Sequence, residues 1–301
     1  SAVAGSGGLI TVIPDPATIS IVKVSGDGSG IIAGTDRLLR ARVVDSFANV
    51  VSGDDVRFIV RSGGGDFAGS DSIDVVTDAS GIAEATLTTG IVADSNIVTA
   101  LRIADRSDSV QFGIGTISGA VSYYSLVPSG DTTIIAGNSV GYTLIAYDQY
   151  NNRVATGDSV TLAAVGSSTA VFSAGPYEFG GLDSLTFSVG DTISGSFTVR
   201  ATNINNPSVR GNSGLITILP GDASSILMLS SADSINVGGE RLLQYALEDV
   251  YGNRLSDSLM IFSRFNGNGT FDNGLDTANV RTNGSGIAES NYTASDVLSF
   301  G

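Results

Sequence analysis

The sequence carries one polar motif three times, Asp-x-aromatic-x-Asn, whose carboxylate and amide groups are the first candidates for a binding or catalytic site. A site repeated three times would suit a sugar-binding array better than an enzyme. The same side chains also cap free backbone N–H groups in tight turns, where Asn tolerates a left-handed conformation. A turn explains all three copies, so we interpret the motif as structural. The copies are Asp45/Phe47/Asn49, Asp148/Tyr150/Asn152 and Asp249/Tyr251/Asn253.

The other acidic residues are candidate calcium ligands, because the chain has 30 acidic and only 15 basic residues. A calcium site needs about six to eight converging oxygen atoms. Asp15 and Asp222 lie near two of three short connecting segments, whereas the middle segment, 117–121, has no acidic residue. We interpret the remaining clusters as solvated loop charges and predict no metal site. These clusters are Asp54/Asp55, Asp71/Asp74 and Asp105/Asp108.

The residue types present in the chain do not favour a catalytic function. The chain has no histidine and no cysteine, which removes the commonest general base, every thiolate nucleophile and the usual zinc ligands. A carboxylate pair could hydrolyse a glycoside. However, Glu84 and Glu289 occupy the same "SGIAE" segment of two repeats, as scaffold residues would. We predict no catalytic residue, no cofactor and no enzyme. The other glutamates considered are Glu178, Glu240 and Glu248.

The charge of the chain limits its partners. The net charge is -15, and Lys23 is the single lysine. This charge repels nucleic acid and anionic membrane surfaces. No apolar run reaches the roughly 18 residues that a membrane-spanning helix needs. We therefore predict no nucleic-acid partner and no membrane insertion.

The motif belongs to a longer internal repeat. Its aspartates lie at positions 45, 148 and 249, which are 103 and 101 residues apart. Other segments return at nearly the same spacing: "IIAG" (31–34 and 134–137), "SGIAE" (80–84 and 285–289) and "GLITVIP" (8–14), which returns as "GLITILP" (214–220). Such self-similarity predicts tandem domains. We place the domains at 15–118, 119–220 and 221–301, with 1–14 as the closing strand of a preceding domain.

Each repeat reads as short strands joined by turns. Apolar residues alternate ahead of each motif, as a half-buried strand requires. Roughly seven strands in about 100 residues, with frequent turn signals, are typical of an all-β, immunoglobulin-like sandwich. By the repeat spacing the third unit stops about 20 residues short, so we expect it to lack its last two strands. The alternating sets are Leu39/Ala41/Val43, Tyr142/Leu144/Ala146 and Leu243/Tyr245/Leu247.

The motif with its following strand, a "T-x-x-x-G-x-A" hairpin and a "V-T-A" strand resembles the bacterial Ig-like domains of the invasin and intimin type. The resemblance covers essentially the whole chain. The second repeat departs from the pattern, because its segment 171–189 lacks the "SGIAE" hairpin. The resemblance implies a repeated extracellular spacer, often found in adhesins, and it implies no catalytic residues.

These observations predict a rod of tandem Ig-like sandwiches that acts as the spacer or stalk of a bacterial extracellular or cell-surface protein. Its expected partners are neighbouring Ig-like domains of the same longer chain. Two alternatives stay open at this point. One is a subunit of a self-assembling filament or sheath, in which identical chains would be the partners. The other is a module that binds carbohydrate or protein through loops at one end.

Overall fold

The computed structural model describes residues 11–15, 19–231 and 234–296, which form 23 strands and no helix. The described part therefore contains no helix long and apolar enough to cross a membrane. The chain divides into two compact units. Unit 1 comprises Ser1–Ser122 and Tyr147–Val154, and unit 2 comprises Tyr123–Ala146 and Ala155–Gly301.

Unit 1 contains one sandwich of two sheets. One sheet has the strand order β1-β3-β6, and the other has the order β2-β8-β7-β4-β5. All pairs are antiparallel except β2 with β8, which is parallel. The strands are β1 (Ser20–Ser25), β2 (Gly28–Ile32), β3 (Asp36–Val44), β4 (Asp55–Ser62), β5 (Ser72–Val76), β6 (Ile82–Thr88), β7 (Ser95–Arg102) and β8 (Ser109–Ile117).

The core of this first sandwich lies between the two sheets. Every second side chain of a strand points to the same face of the sheet. The predicted alternation therefore places the apolar side chains of each strand on the face that packs against the other sheet. Phe58 packs its ring against Phe67 and Phe112, with centroids 6.2 and 6.1 Å apart. The chain contains no cysteine, so packing and strand pairing hold the sheets together. The innermost residues, all 0% exposed, are Leu39, Ala41, Val43, Val56, Phe58, Ala83, Leu87, Val98, Ala100, Phe112 and Ile114.

Unit 2 contains a second sandwich with a closely similar plan. One sheet has the order β13-β14-β11-β9, and the other has the order β10-β17-β15-β12, with β16 also paired to β15. The segment without the "SGIAE" hairpin still forms β14, which pairs with β11 as β6 pairs with β3. The strands are β9 (Tyr123–Val127), β10 (Thr132–Ile135), β11 (Ser139–Tyr147), β12 (Val160–Val165), β13 (Val171–Phe172), β14 (Ser184–Gly190), β15 (Gly195–Asn203), β16 (Arg210–Asn212) and β17 (Ile216–Leu219).

A third strand set completes unit 2. One sheet has the order β18-β19-β23-β21, and the other consists of β20 and β22. Its small core is built from Met260, Phe262, Phe271 and two alanines. The strands are β18 (Ser225–Met228), β19 (Glu240–Glu248), β20 (Leu259–Ser263), β21 (Thr270–Phe271), β22 (Thr277–Arg281) and β23 (Ile287–Thr293).

The prediction of an all-β, immunoglobulin-like sandwich fold is confirmed. The three alternating sets that the sequence predicts as strands lie in β3, β11 and β19. The exact domain boundaries and the arrangement of the repeats as a rod stay predictions.

Leu39→Ala tests whether the predicted alternation carries the fold. Leu39 is 0% exposed, so its truncation should lower the free energy of unfolding by about 2–5 kcal/mol. Leu38→Ala is the matched control, because Leu38 is the adjacent residue and is 37% exposed. Urea unfolding of the full chain measures both changes. Equal losses in the two variants would contradict the assignment of the inner face of β3.

Candidate functional site

The three Asp-x-aromatic-x-Asn motifs form loops of the same construction, which we call loop 1 (45–49), loop 2 (148–152) and loop 3 (249–253). Each loop follows a nine-residue strand, β3, β11 or β19. In loop 3 the Asp249 backbone N–H donates to the Asn253 carbonyl, 2.9 Å away, and closes the turn. Asp249 Oδ1 accepts hydrogen bonds from the backbone N–H groups of Tyr251 (2.8 Å) and Asn253 (2.9 Å). The carboxylate therefore caps its own turn.

Loops 1 and 2 repeat this geometry closely. Asp45 Oδ1 accepts from two backbone N–H groups of its loop, at 2.9 and 2.8 Å, and Asp148 Oδ1 does so at 2.8 and 2.9 Å. The fourth loop position is left-handed in every copy, with φ of 66° at Ala48, 67° at Asn151 and 82° at Gly252. The predicted turns are thus present in all three repeats.

The second carboxylate oxygen of each aspartate binds a different part of the chain. Asp45, Asp148 and Asp249 each accept through Oδ2 from one backbone N–H of the segment that precedes the repeat's first strand. The three donors are Asp15 N (3.0 Å), Gly119 N (2.9 Å) and Gly221 N (2.9 Å). The separations along the chain are 30, 29 and 28 residues, so this contact recurs with the repeat.

The asparagine of loop 2 reaches another loop of unit 1. Asn152 Nδ2 donates to the Ile91 carbonyl at 2.8 Å, and Asn152 Oδ1 accepts from the Ala93 N–H at 2.9 Å. Nδ2 also donates to Asp148 Oδ2 at 2.9 Å. One amide therefore uses both its donors and its acceptor, and it joins two loops that lie about 60 residues apart in sequence.

Loop 3 makes the same contact inside unit 2. Asn253 Nδ2 donates to the Thr192 carbonyl at 2.8 Å and to Asp249 Oδ2 at 2.8 Å. Asn253 Oδ1 accepts from the Ser194 N–H at 2.7 Å. Asn253 is 5% exposed, so these bonds are sheltered from water. Sequence reasoning placed this asparagine only within its own turn and did not predict the second loop.

The tyrosines of loops 2 and 3 each pack on a glycine turn. Tyr150 lies against Gly34, and Tyr251 lies against Gly137. A Cβ atom at either glycine would come closer than 3.0 Å to the tyrosine ring, and both glycines have positive φ, 75° and 87°. Glycine is therefore required for space and for conformation. The repeated "IIAG" segments carried this signal, because both end in these glycines.

Loop 1 presents the corresponding side chains differently. Phe47 is 76% exposed, compared with 45% for Tyr251. Asn49 Nδ2 donates to Asp45 Oδ2 at 3.0 Å, so its amide supports the turn itself. Loop 1 therefore serves as an internal reference for a turn of the same sequence pattern.

The hydrogen bonds lower the pKa of all three loop aspartates below the ordinary value. For Asp148 and Asp249, burial raises the pKa, but the side-chain donor of Asn152 or Asn253 and three backbone N–H groups outweigh it. For Asp45, the Asn49 side chain is the largest cause of the lowered pKa, and three backbone N–H groups add to it. All three side chains are therefore carboxylates at neutral pH.

The saturated hydrogen bonding of these carboxylates argues against metal binding. Asp249 accepts from four donors, which is about the number of lone-pair sites that a carboxylate offers. Across the described residues, no group of three or more acidic side chains converges in a cluster that could hold a metal ion. The arrangement can hold backbone segments together, and we assign it no chemical step.

The other candidate acids take part in separate contacts. Asp54 pairs with Arg102 (2.6 Å), and Glu84 pairs with Arg40 (2.6 Å). Asp74 forms a bidentate pair with Arg57, while Asp105 and Asp108 accept hydrogen bonds from Ser107 and from the Ile21 N–H. Glu289 accepts from Gln244. The acids named in these contacts are thus bound to other groups of the protein.

Asn253→Ala should lower the free energy of unfolding by about 1–3 kcal/mol, because it removes the two hydrogen bonds to the Thr192 carbonyl and from the Ser194 N–H, each of which contributes about 0.5–1.5 kcal/mol. Asn49→Ala is the matched control and should cost less, since it removes a bond within loop 1 only. Hydrogen exchange at the Ser194 amide should accelerate in the first variant alone. Unchanged exchange there would contradict the contact.

Asp249→Ala should destabilise the chain by about 1–2 kcal/mol at pH 7, the scale of losing a side-chain cap. Because the folded pKa of Asp249 is lowered from 3.8, its stabilising effect is present above that pH and is lost as the pH falls through the folded pKa. The difference between wild type and variant should therefore shrink below about pH 4. Urea unfolding at a series of pH values measures this difference in stability. A difference that stays constant with pH would refute the role of the Asp249 carboxylate as a cap.

No family model matches the chain, and no curated protein matches it. Solved structures are similar to it. The Escherichia coli adhesin FdeC shares 18% identity over 96% of this chain and 92% of its own, with a TM-score of 0.48. Invasin, described as a bacterial integrin-binding protein, shares 17% over 93% of this chain and 55% of its own, with a TM-score of 0.43. The D00-D0 domain of intimin shares 17% over 66% and 99%, with a TM-score of 0.39. The predicted resemblance to Ig-like domains of the invasin and intimin type is confirmed.

Proposed function

We propose that the chain is a structural spacer, a stalk segment of tandem Ig-like repeats in a bacterial extracellular or cell-surface protein, and that it catalyses no reaction. The observation that carries this proposal is the bonding of Asn253, which joins loop 3 to residues 192 and 194 of the preceding repeat. The polar groups of the loop are used to hold protein to protein.

Two contacts join the third repeat to the second within unit 2, and a third contact holds the segment that connects them. Asp249 holds the connecting segment at Gly221, Asn253 holds the loop at 192–194, and Tyr251 rests on the Gly137 turn. The planar amide of Asn253 restricts the orientation of loop 3 as well as its distance from residues 192–194, because the amide donates one hydrogen bond there and accepts another. Contacts at separate points of the loop oppose both bending and twisting. This is the property that a spacer needs.

The polar contacts are short and sheltered, and each hydrogen bond contributes about 0.5–1.5 kcal/mol net. Loop 2 repeats the pattern within unit 1, through Asn152 and Tyr150. A set of contacts that recurs with the repeat supports a role in holding each repeat to the one before it. The domain limits 15–118, 119–220 and 221–301, and the neighbouring Ig-like domains as partners, belong to the same proposal.

Pulsed electron spin resonance on the full chain tests the proposal. The sequence has no cysteine, so Thr161→Cys with Thr277→Cys gives one spin label on each of the two repeats of unit 2. Both positions are exposed. The distance distribution should be narrow and should broaden in the variant Tyr251→Ser/Asn253→Ala, which removes the loop 3 contacts.

The matched control is Phe47→Ser/Asn49→Ala, the same pair of changes in loop 1, which should leave the distribution narrow. A broad distribution in the unmodified background would overturn the spacer proposal, because the repeats would then have no fixed orientation. A narrow distribution that survives the loop 3 changes would show that these contacts do not set the orientation.

A further inference from the structure

The contact between loop 3 and the second repeat depends on the shape of the loop that receives Asn253. We call residues 190–195 the receiving loop, because they carry the Thr192 carbonyl and the Ser194 N–H that bind Asn253. The amide of Asn253 meets both groups only when the backbone between them has one conformation. Ordering a mobile loop at the moment of contact costs conformational entropy and weakens the contact. A side chain that orders the receiving loop beforehand therefore strengthens it.

One buried carboxylate orders the receiving loop from within. Asp191 is 5% exposed, and its Oδ1 accepts a hydrogen bond from the Ile193 N–H at 3.0 Å. Ile193 is the residue between the two that bind Asn253. The hydroxyl groups of Ser167 and Thr169 donate to the same carboxylate. The carboxylate thus holds the middle of the receiving loop against the loop that carries these two hydroxyl groups.

The backbone of Asp191 holds the other half of the docking surface. Its carbonyl accepts a hydrogen bond from the Gly137 N–H at 2.8 Å. Gly137 is the turn on which the Tyr251 ring rests. Through its carboxylate and its carbonyl, Asp191 therefore bonds to the two parts of the second repeat that meet loop 3.

The first repeat cannot use a side chain at this position. Gly90 takes the place of Asp191 there, because the Gly34 N–H donates to the Gly90 carbonyl at 3.0 Å, as the Gly137 N–H donates to that of Asp191. A Cβ atom at Gly90 would lie 1.7 Å from the Gly63 carbonyl oxygen. Glycine is therefore required here, and the support for the corresponding loop must come from another residue.

Thr116 supplies that support in the first repeat. It is 7% exposed, its Oγ1 lies 3.0 Å from the Val92 carbonyl oxygen, and the same Oγ1 accepts from the Asp94 N–H at 3.0 Å. Val92 is the residue between the two that bind Asn152. The second repeat has Ile218 at the position of Thr116, and this apolar side chain offers no such bond. Each repeat thus holds the middle of its loop with one polar side chain, from a different position in the fold.

We propose that Asp191 is a positioning residue for the docking of loop 3. It acts through the backbone: its carboxylate sets the geometry of the Thr192 carbonyl and the Ser194 N–H for Asn253, and its carbonyl sets the Gly137 turn. The inference rests on the proposed spacer function, because it names the residue that prepares the second repeat for two contacts of the third.

Hydrogen exchange at the Ser194 amide tests the proposal on the full chain. Asp191→Ala should speed this exchange about tenfold, the scale of losing one to two hydrogen bonds, although Asn253 itself is unchanged. In the Asn253→Ala background the same change should add less than about twofold, because the bond that Asp191 supports is already absent. Effects that multiply in full would overturn the proposal. The variant keeps its fold, because the first repeat accommodates Gly90 at this position.

A second variant transfers the support of the first repeat to the second. In Asp191→Ala/Ile218→Thr the new hydroxyl group should bond to the Ile193 carbonyl in the geometry of Thr116 and should slow the exchange at Ser194 again. Ile218 is 2% exposed, so its replacement by a polar residue should lower the stability of the sandwich. Slower exchange in a less stable protein follows from repositioning of the loop. Exchange as fast as in Asp191→Ala would contradict the inference.

Tyr124→Phe is the matched control in the same sandwich. It removes a buried hydroxyl group that bonds to Asp158 (3.2 Å) and Asn203 (2.9 Å) at the other end of β15, so it also lowers stability. Exchange at Ser194 should stay within about twofold of wild type, because the change lies outside the receiving loop. An acceleration equal to that of Asp191→Ala would indicate a general loss of stability and would overturn the positioning role.

Spin labels at 161 and 277 separate this inference from the proposed function. Asp191→Ala should broaden the distance distribution, as removal of the loop 3 contacts should. Unchanged Ser194 exchange in Asp191→Ala, beside a narrow distribution in the unmodified background, would overturn the positioning role and leave the spacer function standing. A broad distribution in the unmodified background would overturn the spacer function, and exchange at Ser194 would still decide the role of Asp191.

Discussion

The aspartate carboxylate at the start of each loop is the interaction on which the rest of the site depends. Through Oδ1 it holds two N–H groups of its own turn, and through Oδ2 it holds one N–H of the segment before the repeat and the asparagine amide. A neutral residue of the same size could accept fewer of these bonds. The charge is retained at low solvent exposure because four donors surround it, and a charge-assisted hydrogen bond is stronger than a neutral one.

The positions of the asparagine and the aromatic follow from this turn. Once the aspartate closes the loop, the asparagine amide has one donor committed to the carboxylate and one donor with its acceptor directed outward. In loops 2 and 3 the outward groups meet a carbonyl and an N–H two residues apart, as in 91/93 and 192/194. The tyrosine beside them needs a surface without a side chain, which the glycine turn provides. In loops 2 and 3, three residues close together in the sequence thus take part in one long-range contact.

The parts of the fold that depend on local pattern could be predicted from sequence, and the parts that depend on distant pairing could not. The alternating pattern correctly predicted that Leu39, Ala41 and Val43 lie in the core, because side chains along a strand point to the same face at every second residue. The turns followed from Asp and Asn at fixed spacing. The bonds of Asn152 and Asn253 were missed, since they join residues about 60 positions apart and no local pattern marks their backbone partners. Sequence did mark Gly34 and Gly137 through the repeated "IIAG" segment, but only the structure shows the rings that rest on them.

The free energies of these loop contacts can be compared with the stability of a whole domain. Two outward hydrogen bonds contribute about 1–3 kcal/mol together, whereas a whole domain is stabilised by about 5–15 kcal/mol. By themselves these two bonds are therefore weaker than the interactions that stabilise a whole domain. The same 1–3 kcal/mol nevertheless corresponds to a roughly 5–150-fold preference for the docked arrangement over the undocked one. Under the proposed spacer function, a linkage of this strength would set the orientation of neighbouring repeats. Repeats can then be added to a chain without changing the stability that each one must reach by itself.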